Sequence, residues 1–181
     1  MRMTRTFRLS AMVGLACLLF ATAANCEYYY YKMQPIPLYQ CDSIITLKYN
    51  PFYPTPDFGS LTSRVPAIDP NRIPIQIYGQ FFRYYIREEY TALEAINKLD
   101  SLDEILFAFP SYLDTQGNLY EQTDIIILSF PDSISQEKID SIYDYYKLIQ
   151  IEGRNEFTGS RKVTITSLSV GNPLNIANQL C

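Results

Sequence analysis

From Asp124 to the C-terminus the sequence alternates short β-branched runs with stretches of helical apolar spacing, and few small folds accommodate that order. Asp124-Ile-Ile-Ile-Leu-Ser-Phe130 is the strongest strand signal in the chain, rich in β-branched residues and without glycine or proline. Ser133 to Gln136 offers a helix cap, and Ile139, Ile142, Tyr143 and Tyr146 then share one helical face. Leu148 to Glu152 predicts a strand and Gly153 to Ser160 a loop. Arg161 to Leu168 predicts another strand, with Val163 and Ile165 on one side and Thr164 and Thr166 on the other. Asn172-Pro173 predicts a second helix start, asparagine capping and proline at the first helical position, with Leu174, Ala177 and Leu180 on one stripe. Strand, helix, strand, strand, helix is a ferredoxin-like split βαβ unit without its last strand.

The first half is less regular. Glu27 to Lys32, four of whose residues are tyrosine, and Ile36-Pro37-Leu38 predict an extended entry, and Ser43 to Tyr49 a strand. Residues 50–74 hold six prolines and one glycine, which predicts a long loop. Ile73 to Tyr85 is apolar and aromatic and fits strand or helix. Thr91-Ala92-Leu93-Glu94 has the form of a capping box, ahead of Leu93, Ile96 and Leu99 at helical spacing. Glu104 to Pro110 predicts a strand, and Asp114 to Asn118 a turn in which Gly117 takes positive φ. The expected architecture is α+β, one or two ferredoxin-like units with an antiparallel sheet packed by two helices. The expected segments are a leader (1–24), an extended piece (25–42), a first unit (43–119) and a second (120–181).

The leader is predicted from three zones: Arg2, Arg5 and Arg8, then the apolar Ala11 to Phe20, then small residues to Ala24. Ala11 to Phe20 is short for a bilayer span, which takes about 20 apolar residues, so a cleaved export signal is expected, with a retained anchor as the alternative. The location that follows is outside the cytoplasm, at the cell surface, in a periplasm or in the medium. Cleavage would leave 12 basic against 19 acidic residues, a net charge of −7. That balance excludes a nucleic-acid partner, which requires clustered Lys and Arg. Cys26 stands where a lipoprotein carries its acylated cysteine, so a lipid anchor to a membrane is one expectation. Cys41 and Cys181 are candidates for a disulfide, provided the fold brings them together.

The chain contains no histidine, so no Ser-His-Asp or Cys-His mechanism is available within it, and no catalytic residue is expected. No CxxC spacing, calcium loop, P-loop or dinucleotide fingerprint occurs, so neither a metal nor a cofactor is expected. The carboxylate pairs Glu88-Glu89, Asp103-Glu104 and Asp140 with Asp144 read as solvated element ends.

Several phrases of the second half, with its strand–helix–strand–strand–helix order, resemble the N-terminal propeptide domain of bacterial subtilases of the fervidolysin type. They are Ile105-Leu-Phe-Ala-Phe-Pro-Ser-Tyr112, Asp124 to Phe130, Tyr145-Tyr-Lys-Leu148, Lys162-Val-Thr-Ile165 and Pro173-Leu-Asn-Ile-Ala-Asn-Gln-Leu180. The resemblance implies an intramolecular chaperone and inhibitor of a subtilisin-like serine protease, joined to it in cis or acting in trans. In that family the sheet packs on two surface helices of the protease, and a last strand runs into the substrate cleft. This sequence stops at Cys181, before such a strand, so the expectation is either a truncated precursor or a stand-alone relative that works through its sheet. Because Ile125 to Leu128 does not alternate, both faces of that strand are expected to be covered. The first half, or a partner, would cover the face away from the helices; the other reading is a central strand with exposed aliphatics. The candidate partner face comprises Ile126, Leu128, Phe130, Thr164 and Thr166. The alternative function is a cell-surface lipoprotein binding a protein or glycan.

Overall fold

The computed structural model describes residues 27–31 and 34–180, with side chains from Pro35 onward. The leader, Cys26 and Cys181 lie outside the described residues. The protein is α+β, with two antiparallel sheets and four helices among the described residues. Strand β1 (Glu27–Tyr31) pairs with the start of β2 (Gln34–Tyr49), a 16-residue strand that runs through the boundary expected after residue 42. Helix α1 (Phe58–Arg64), the hairpin β3 (Ile75–Tyr78) and β4 (Phe81–Tyr85), helix α2 (Ala92–Leu99), β5 (Ile105–Leu113) and β6 (Leu119–Tyr120) follow. The first sheet has the order β3-β4-β2-β5-β6, with β1 beside β2.

Its core lies under α1 and α2, where Ile45, Leu47, Leu61, Val65, Ile68 and Leu99 are fully buried. The hydroxyls of Tyr49 and Tyr84 hydrogen-bond to each other inside this core, and burial raises the pKa of both. The predicted capping box is present: Glu94 N–H donates to Thr91 Oγ1 at 3.2 Å, and Thr91 N–H donates to Glu94 Oε2 at 2.7 Å. Of the stripe expected on α2, Ile96 and Leu99 are buried but Leu93 is exposed, because Ala92 and Ala95 face the sheet in its place.

Two expectations are corrected here. The proline-rich segment is not all loop, since Asp57 caps α1 by accepting from Ser60 N–H at 2.9 Å and Leu61 anchors the helix in the core. Nor does Pro110 end its strand. The pairing of β2 with β5 jumps from Cys41↔Ser111 to Ile45↔Pro110, and this irregularity accommodates a residue that cannot donate to the ladder.

The second sheet comprises β7 (Ile125–Ser129), β8 (Ile149–Glu152) and β9 (Ser160–Thr164), with α3 (Gln136–Tyr146) between β7 and β8 and α4 (Pro173–Leu180) after β9. Among the described residues its order is β7-β9-β8, β9 antiparallel to both neighbours, as in the first three strands of a split βαβ unit. Ser135 caps α3 and Asn172 caps α4, each accepting a backbone N–H three residues on, at 3.3 and 2.9 Å. Strand β9 ends at Thr164 rather than Leu168, because Thr166 and Ser169 close a turn and both hydroxyls donate to Lys147 C=O. A second core joins Ile126, Leu128, Ile139, Tyr143, Val163 and Ile176 to Phe81 and Phe109 of the first sheet.

Lys147, which closes α3, has φ 55° and is the one described non-glycine residue with positive φ. An L side chain there crowds the following carbonyl. Lys147→Gly should therefore raise stability by about 1 kcal/mol, seen as a higher urea midpoint at unchanged slope. The ion pair it removes, Lys147 with Asp144, is exposed and contributes little.

Candidate functional site

The helices cover one face of the second sheet and leave the other open. Ile126 and Leu128 are 4 % and 6 % exposed, whereas Ile127 between them is 64 % exposed. Burial along β7 therefore alternates although its sequence does not, and the first half of the chain does not cover Ile127 on the face away from the helices. Ile127 shares the open face with Thr164 and Lys162 by register, and β8 adds Ile149 and Ile151, 56 % and 48 % exposed. Glu152 bridges to Lys162 across this face at 2.8 Å and holds the lysine above its ordinary pKa.

The residues expected to meet a partner are thus divided by the sheet. Ile126 and Leu128 point into the protein's own core, because strand periodicity puts them on the helix side. Phe130 is half-buried beside Tyr143, ring centroids 6.4 Å apart. Thr164 lies on the open side between Ile125 and Ile149. Thr166 is occupied in the turn after β9, donating to Lys147 C=O at 3.2 Å. Of the five, only Thr164 belongs to the open face, and Ile127, Ile149 and Ile151 replace the others. The strand β8 is legible in the sequence, but the exposure of its isoleucines is not.

Beside this face lies a cleft of about 650 Å³ between the two sheets, with Phe81, Phe107 and Ile125 in its walls and Tyr78 and Phe52 among its exposed lining residues. Lys48 stands between Phe81 and Phe107 in adjacent strands, its ammonium 5.3 Å from the Phe81 centroid. The same ammonium donates to Asp124 Oδ2 at 2.6 Å, with both side chains largely buried. This bond ties the first sheet to the root of β7. Sequence reasoning missed it, as the partners are 76 residues apart and neither sits in a motif. A second tie joins Arg83 to Glu121, bidentate at 2.8 and 2.5 Å, and the carboxylate raises the guanidinium pKa further.

What this arrangement can do chemically is bind. An apolar sheet face continuous with an aromatic cleft offers area to another surface. Cys41 is a buried free thiol, 3.3 Å from Ser43 Oγ, and the partner expected for it lies outside the described residues. The Asp114 carboxylate is engaged by the turn it closes, accepting from Gln116 and Asn118 N–H at 2.8 and 2.9 Å. Hydrogen bonds from Asn118 above all lower its pKa. Among the described residues no cluster of three metal-ligating side chains occurs, and no helix is long and apolar enough to cross a membrane. Comparison with protein-family models, with curated proteins and with solved structures gives no match to the chain.

Proposed function

We propose that this chain is a non-catalytic docking module of the subtilase-propeptide kind, which seats the open face of its second sheet on a subtilisin-like protease domain and assists its folding or restrains its activity. The observation that carries the reading is the one-sided sheet β7-β9-β8, helices on one face and Ile127, Ile149 and Ile151 exposed on the other. The three side chains are about half exposed, so burying what remains contributes roughly 1–1.5 kcal/mol each before the costs of association, and they would form the apolar centre of a larger contact.

The test uses subtilisin-like protease domains unfolded in guanidinium and diluted with or without this protein. The expected result is a higher yield of active protease, or slow, tight inhibition of the folded enzyme. The double variant Ile149→Glu/Ile151→Glu should weaken that effect at least about 100-fold in concentration, since two charges would enter an apolar contact. No change in refolding or activity, or equal potency of the double variant, would overturn the proposal.

A further inference from the structure

The second sheet has two edges, β7 and β8, and only one is guarded. Soluble proteins keep edge strands from pairing with other chains by bulges, charges and prolines. Strand β8 has a register shift between Gln150 and Glu152 and carries the Glu152–Lys162 ion pair. Strand β7, Ile-Ile-Ile-Leu-Ser, has no charge and no proline, and its ladder with β9 is unbroken.

The outer side of β7 also carries hydrogen-bonding capacity. Ile165 N–H donates to Asp124 C=O at 2.9 Å, so Asp124, Ile126 and Leu128 direct their backbone groups to β9. Antiparallel alternation turns the N–H and C=O of Ile127 and Ser129, and the C=O of Ile125, to the other side. Among the described residues no strand pairs there. A cleft of about 500 Å³ lies beside Ile125 to Ile127 on this side, lined also by Leu174 and Ala177 of α4 and by Leu38 and Tyr112 of the first sheet. Its one charged lining residue, Glu121, is held by Arg83. This is the position that the last strand of a complete split βαβ unit would fill.

We infer that β7 binds an extended segment of a partner polypeptide by strand addition, about five residues long, uncharged and apolar on both faces. The length follows from the five residues of β7. The composition follows from the walls: a strand between α4 and the first sheet is covered on both faces, which favours a continuous apolar run, and a neutral cleft offers no partner to a charge. Main-chain bonds to Ile127 and Ser129 supply the recognition, as in other strand-addition complexes. The inference goes beyond the docking face proposed above and uses a different surface of the same sheet.

The probe is a fluorescein-labelled heptapeptide, Lys-Val-Ile-Val-Ile-Val-Lys, followed by anisotropy. Two further peptides carry N-methyl groups on alternate amides, one in each phase. Saturable binding is expected, with the two N-methylated phases differing at least about tenfold, because only one phase faces β7 and loses its bonds. Ile127→Pro removes an outward N–H and spares the ladder to β9, so it should weaken binding at least about tenfold with an unchanged circular dichroism spectrum. If Ile127→Pro misfolds, Leu174→Glu places a charge in the cleft and should do the same. Ile149→Glu/Ile151→Glu should leave peptide binding intact, which separates this test from the docking-face test. Absence of saturable binding, equal affinity of the two methylated phases, or indifference to both variants would overturn the inference. So would dimerisation abolished by Ile127→Pro without peptide binding, which would make a second copy the occupant.

Discussion

Replacing Ile126 by aspartate should unfold the second sheet, while the same change at Ile127 should leave stability within about 0.5 kcal/mol of the parent. The two positions are adjacent, with the same side chain in the same strand. Ile126 is packed among the residues of the second core. A carboxylate there is desolvated without a partner, and the cost, at least about 4 kcal/mol, consumes most of an ordinary domain's stability. At Ile127 the carboxylate meets water and lies directly opposite Lys162. Urea denaturation of both variants decides the matter. Equal destabilisation would mean that β7 is covered on both faces, which would remove the open face on which the protease proposal depends.

The second large effect is expected at Lys48. Lys48→Met should cost about 3 kcal/mol, because it strands the largely buried Asp124 carboxylate. Lys48→Met/Asp124→Leu should recover much of that loss, since an apolar pair of similar volume carries no desolvation penalty. Thermal melts of the two single variants and the double variant close the cycle. A single variant as stable as the parent would show that the bond is solvated and does not hold the two sheets together.

How much of this was legible in the sequence depended on how local the cause was. The caps at Thr91 and Asn172 involve residues three apart and were read to the residue, the cap of α3 was placed within Ser133 to Gln136 and falls on Ser135, and the order of elements from Asp124 onward matches. The turn at Gly117, with φ 81°, is of the same kind. Helix α1 was missed because its neighbourhood is dominated by proline and its seven residues offer a single buried anchor, Leu61. The face of β7 was not legible for a different reason. An unbroken aliphatic run gives periodicity nothing to detect, so whether Ile126 or Ile127 points inward is set by register with β9 and by the helices. The candidate site depends still more on distant partners. Phe81, Phe107 and Lys48 come together only through the pairing of β4, β2 and β5, and no window of sequence contains all three.

The central position of β2 has a consequence for how the molecule is made. Its partner β4 ends at Tyr85 but its other partner β5 spans Ile105–Leu113, so β2 cannot be flanked on both sides until more than half of the chain is available. Such distant pairings slow folding relative to a helical bundle, whose contacts are mostly local. A nascent chain halted before residue 105 would leave the apolar sides of α1 and α2 with no complete sheet beneath them, a natural target for chaperones and proteases.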